Sequence, residues 1–100
     1  MASRKKMYLS LYECDFKDKE TDKPVKGFSI KYLEKHKDTG DIKYQKEWIP
    51  FEYITDNIRS VCKSLIPGQE IDFEYALDGR KIYVSDVIPG DMIFDIQKNL

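Results

Sequence analysis

One hundred residues hold one domain with a modest core and leave no room for a second. Hydrophobic residues at 41 % beside charged residues at 35 % describe a globular chain with a charged exterior, and no apolar run approaches the ~20 residues of a membrane span. The net charge of −1 excludes a uniformly basic protein, but residues 1–46 hold 12 Lys and Arg against 8 Asp and Glu, while residues 47–100 hold 5 against 10. Such asymmetry is expected of a cationic face beside an acidic remainder, or of chance segregation on a solvated surface.

Residues 1–6, MASRKK, read as a mobile basic start, able at most to add phosphate contacts. They do not read as a secretory signal, because only a few apolar residues follow before Glu13 and Asp15. Residues 7–16 alternate, with Met7, Leu9 and Leu11 on one face and Tyr8, Ser10, Tyr12 and Cys14 on the other. The aliphatic side is the better core face, which leaves Tyr8 and Tyr12 outside. A charged loop with Pro24 leads to a second strand at 27–35, where Phe28, Ile30 and Tyr32 oppose Ser29, Lys31, Leu33 and Lys35. A polar turn around Thr39-Gly40 precedes a third strand at 42–51. There Ile42, Tyr44, Lys46 and Trp48 share one face and Lys43, Gln45, Glu47 and Ile49 the other.

One amphipathic helix is expected, at about 54–66. Ile54, Ile58, Val61, Cys62 and Leu65 form its apolar stripe, Thr55 its N-cap, and Pro67-Gly68 its stop. A fourth strand follows at 70–76, with Ile71, Phe73 and Tyr75 facing away from Glu70, Asp72 and Glu74. Asp78-Gly79 is a tight-turn signal. The fifth strand spans 81–88 and is closed by Pro89-Gly90. Residues 91–100 form a tail whose Met92–Ile96 segment is apolar enough to pack on the domain or on a partner.

The order β-β-β-α-β-β, together with the segment LIPGQEIDFEYALDGRKIYVSDVIPG, resembles the OB-fold and the small single-stranded-DNA-binding proteins of phages and plasmids. The resemblance implies a mainly β, five-stranded, partly open barrel over residues 7–90, plugged by the helix. It implies binding on the face of the second and third strands, in replication or recombination, in the cytoplasm of a bacterial host. The tail ends in Lys98-Asn99-Leu100, so an acidic tip for recruiting repair enzymes is not indicated.

Sequence-tolerant single-strand binding needs flat rings for bases and cations for phosphates. Tyr8, Tyr12, Tyr44 and Trp48 supply the first, and Lys31, Lys43, Lys46 and Arg80 the second. The set Tyr44-Lys46-Trp48 is the sharpest feature. Burying an ammonium between two aromatics is costly, so either this face is open or Lys46 reaches out at the rim of a core. Arg80 sits at a hairpin tip, a place that suits a solvated cation better than a binding one.

Enzymatic chemistry and cofactors are not expected. His36 is the only histidine and lies in a charged turn, and Cys14 and Cys62 are isolated, which suits reduced thiols and no metal site. The serines lie in no nucleophile context and the glycines mark turns. The alternative function is a small protein-interaction module that docks on a host or replication enzyme through the tail or a sheet edge. RNA in place of DNA stays open, as does assembly into homo-oligomers through the apolar tail.

Overall fold

The computed structural model describes residues 4–36 and 38–92. The alternating segments form one antiparallel sheet of five strands: β1 (Arg4–Lys17), β2 (Pro24–His36), β3 (Ile42–Pro50), β4 (Gln69–Asp78) and β5 (Lys81–Met92). A 3-10 turn (Phe51–Tyr53) and the single helix among the described residues, α1 (Asp56–Ser64), connect β3 to β4. Arg4, Lys5 and Lys6 belong to β1, so the expected mobile start does not extend that far. The tail beyond Met92 lies outside the described residues.

The strand order is β3-β2-β1-β4-β5. Long ladders join β1 to β2, β2 to β3 and β4 to β5, but β1 meets β4 only at Lys6↔Ile71 and Met7↔Glu70. β3 and β5 are the free ends of that order, so the barrel is not closed by backbone pairing. Side chains cross the opening instead. The Tyr75 hydroxyl donates to Glu47 Oε2 at 3.2 Å, linking β4 to β3. Tyr53, just after β3, stacks on Tyr83 of β5 with ring centroids 4.3 Å apart.

Helix α1 forms where the 3.6-residue stripe places it. The Thr55 side chain accepts from the Ile58 amide at 3.1 Å, meeting one of the amides a helix start leaves open. Asp56 and Lys63 complement the two ends of its dipole. Its apolar stripe joins the core, with Ile58, Cys62 and Leu65 buried and Val61 and Ile54 packed beside them. Asn57 donates to Asp86 of β5 at 2.8 Å, and Arg59 lies 3.7 Å from the Glu13 carboxylate and over the Phe28 ring.

The remaining core comes from the inner faces of the strands, with Ile30, Ile49, Ile71, Val84 and Val87 sealed from solvent. Two bulges decide who faces it. In β1 the pairing passes from Tyr8↔Tyr32 to Ser10↔Lys31, so Leu9 is an extra residue and the inward face switches from even to odd positions. The amide of Gly68, leaving the helix, donates to the Tyr8 carbonyl at this bulge. In β5 the pairing passes from Glu74↔Asp86 to Tyr75↔Val84, which lets both Val84 and Val87 point inward. The β4–β5 turn is Gly79-Arg80, with Gly79 at φ 62°, the left-handed geometry that a two-residue hairpin requires at its first position. β5 also continues past Pro89, where an edge strand tolerates the missing amide. No helix among the described residues is long and apolar enough to cross a membrane.

Candidate nucleic-acid interface

The outer face of β1, β2 and β3 can be read directly from the register. Trp48, Ser29 and Tyr12 lie side by side across the three strands. The next row is Lys46, Lys31 and Ser10, then Tyr44, Leu33 and Met7, and finally Ile42, Lys35 and Lys5. Neighbouring rows stand about 6.7 Å apart along a strand and neighbouring strands about 4.8 Å. Lys46 therefore sits midway between two rings, and none of these positions carries a carboxylate. Tyr12, Tyr44 and Trp48 are 65 %, 52 % and 41 % exposed, so the rings are open to solvent and not core. Lys31 and Lys46 are direct cross-strand neighbours. Like charges so placed repel unless an anion lies between them.

Trp48 is seated by its neighbour. A side chain at Gly27 would meet the Ile49 carbonyl oxygen and the indole carbons Cζ2 and Cη2, so glycine is what lets the indole lie flat across β2. Arg and Lys on strands typically reach past such rings to water, and here Lys46 and Lys35 are exposed.

Three of the expected residues are not on this face. Tyr8 is only 6 % exposed, because the Leu9 bulge puts it on the inner side against Cys62 while Tyr12 stays outside. Burial pushes its phenol up, with the nearby Cys62 adding to the effect. Lys43 is on the odd-numbered side of β3, pairs with Glu34, and lines a cleft of about 230 Å³ with Glu34, His36 and Asp41. Arg80 is exposed at the β4–β5 tip, and the sheet order separates that hairpin from β2 and β3 by β1. The structure brings together Tyr12, Lys31, Tyr44, Lys46 and Trp48, and adds Lys35 and Lys5. Lys5 was hidden by reading the N-terminal residues as a mobile arm.

The opposite face of β3 has a different chemistry. Glu47 is half-buried and its carboxyl is raised by desolvation, against the lowering effects of the Tyr75 hydrogen bond and the Lys6 charge. Tyr32 is pushed up to about 12 by burial, then by the Glu47 and Glu34 charges. Tyr75 is raised for the same first reason, its hydroxyl end enclosed beside Glu47 although half of its surface is open. Lys6 pairs with Asp72 at 3.2 Å across β1 and β4. These contacts link β3 to β4 and β1 to β4.

His36 is a structural residue of the β2–β3 turn. Its Nδ1 accepts from the amides of Asp38 and Thr39, both at 3.3 Å. Cys62 is buried and its thiol is pushed up to about 11 by desolvation, while Cys14 is partly buried, and both are free. Among the described residues no group of three or more His, Cys, Asp or Glu is placed to hold a metal ion. Comparison of the chain with family models, curated proteins and solved structures finds no match in any of the three.

Proposed function

We propose that this protein binds single-stranded DNA without strong sequence preference, on the outer face of β1–β2–β3. The observation that carries the reading is the Lys31–Lys46 pair set between Tyr44 and Trp48, with Tyr12 beside them and no carboxylate among them. Rings at Tyr12, Tyr44 and Trp48 stack bases, and Lys5, Lys31, Lys35 and Lys46 neutralise phosphates. The strand order, with the helix between β3 and β4, supports an OB-fold opened between β3 and β5, whose β2–β3 side is the binding surface. Service in phage or plasmid replication or recombination, in a bacterial cytoplasm, belongs to the same reading.

Oligo-dT titrated into the protein quenches the fluorescence of Trp48, the only tryptophan, and affinity falls as salt rises. No quenching and no mobility shift at low salt overturns the proposal. Parallel titration of poly-rU separates DNA from RNA preference. A second reading, a protein-interaction module, is favoured by Leu77 and Ile82, a cross-strand pair at the β4–β5 tip that is 72 % and 70 % exposed. Retained partner capture with no oligonucleotide binding would replace the first reading by the second.

A further inference from the structure

Beside Trp48, beyond the lysine rows, the outer face runs into a cleft of about 430 Å³ that the stacking track does not explain. Trp48 and Phe51 both line it, with Val25 and Pro50 as apolar wall and Lys26 and Glu52 as its charged groups. The two rings are held by different neighbours. Trp48 lies against Gly27, and Phe51, 48 % exposed, lies under the Lys26 ammonium at 4.5 Å from its centroid. They make no ring contact with each other, and although Lys26 covers one face of Phe51, both rings keep exposed surface for a third planar group.

From this geometry we infer that the cleft is a subsite for one unstacked nucleobase, held by Trp48 and Phe51 with its polar edge toward Glu52; this rests on the face being a single-strand track. A base has two apolar faces and a hydrogen-bonding edge, which matches two rings and one carboxylate. A carboxylate only accepts, and guanine alone among the DNA bases presents two adjacent donors, N1–H and the N2 amino group, on its pairing edge. Adenine, cytosine and thymine each set an acceptor beside their donor, which faces the second carboxylate oxygen unfavourably. Lys26, the cation of the cleft, is the group available to neutralise the phosphate of the same nucleotide. The protein is then tolerant along its lysine rows and selective at one position.

The test is fluorescence anisotropy of three labelled 15-mers: all-dT, dT with one central dG, and dT with one central dA. The dG oligonucleotide is expected to bind at least about fivefold tighter than all-dT, the lower end of what a bidentate base contact contributes. The dA oligonucleotide should fall near all-dT. Glu52→Gln is expected to bring the dG and all-dT affinities together, any gain from the lost negative charge being shared by all three oligonucleotides, and Phe51→Leu to reduce the dG preference, with folding of both variants checked by circular dichroism. Equal binding of dG and all-dT, or equal gains from dG and dA, overturns the guanine subsite while the track stands. Absence of binding to all three overturns both.

Discussion

The two faces of β3 have similar ingredients and opposite fates. On the even side Tyr44, Lys46 and Trp48 stand open, with Lys31 of β2 adjoining. On the odd side Ile49 is sealed, and Glu47 is tied to Tyr75 with Tyr32 and Lys6 close by. Aromatic and charged residues occur on both. What separates them is whether each charge has a protein partner. Inside, cations and carboxylates answer each other across strands. Outside, lysine meets lysine, and their counter-charge is left to solvent ions or a bound anion.

The sharpest way to break this contrast is to truncate one residue on each side. Ile49→Ala, on the sealed side, should lower unfolding free energy by about 2–5 kcal/mol in urea titrations, through lost burial and the cavity left behind. Tyr44→Ala, on the open side, should change stability by less than about 0.5 kcal/mol yet weaken oligo-dT binding by about 1–3 kcal/mol. A Tyr44 variant that unfolds easily and binds normally would show that the open side is core after all. Next in size is the charge. Replacing Lys31 and Lys46 together by Gln should flatten the dependence of log affinity on log salt by about 1.4, two phosphate contacts on a single strand. An unchanged slope would remove those lysines from the interface.

The smallest effect tests the inner side. The folded-state carboxyl of Glu47 is raised, so its contribution to stability is full below the ordinary glutamate range and is lost as pH rises through the raised value. Glu47→Gln keeps an acceptor for the Tyr75 hydroxyl and removes the buried charge. The variant should be more stable than the parent at neutral pH, with the difference shrinking toward pH 4. Greater stability of the parent at neutral pH would mean that the Lys6 and Tyr75 contacts outweigh desolvation.

Much of this is legible in the sequence alone. Strict alternation in 42–49 put Tyr44, Lys46 and Trp48 on one face because β3 has no bulge, and the stripe from Ile54 to Leu65 placed the helix with its cap. Tyr8 failed for a local reason. A strand read with period two assigns one face to all even positions, and a single inserted residue at Leu9 reverses the assignment partway along. Period two would likewise set Val84 and Val87 on opposite faces, whereas the extra residue at Ser85 turns both inward. Lys43 has the charge that phosphate needs, but its odd position in β3 sets it on the opposite face. The Trp48–Phe51 cleft was not legible, because it depends on where the chain turns after Pro50 and on the absence of a side chain at Gly27.

The ladder between β1 and β4 consists of two residue pairs, whereas every other ladder lies between strands adjacent in sequence. Hairpins close short loops at little entropic cost, but this seam must bring together residues more than sixty positions apart. The order of assembly follows from that asymmetry. The β1–β2–β3 meander and the β4–β5 hairpin can each form locally, so their docking over α1 is expected last. The seam is correspondingly where amide exchange should report the first opening of the sheet. Because the candidate binding face lies wholly on the meander, such breathing leaves its rows of rings and lysines in register.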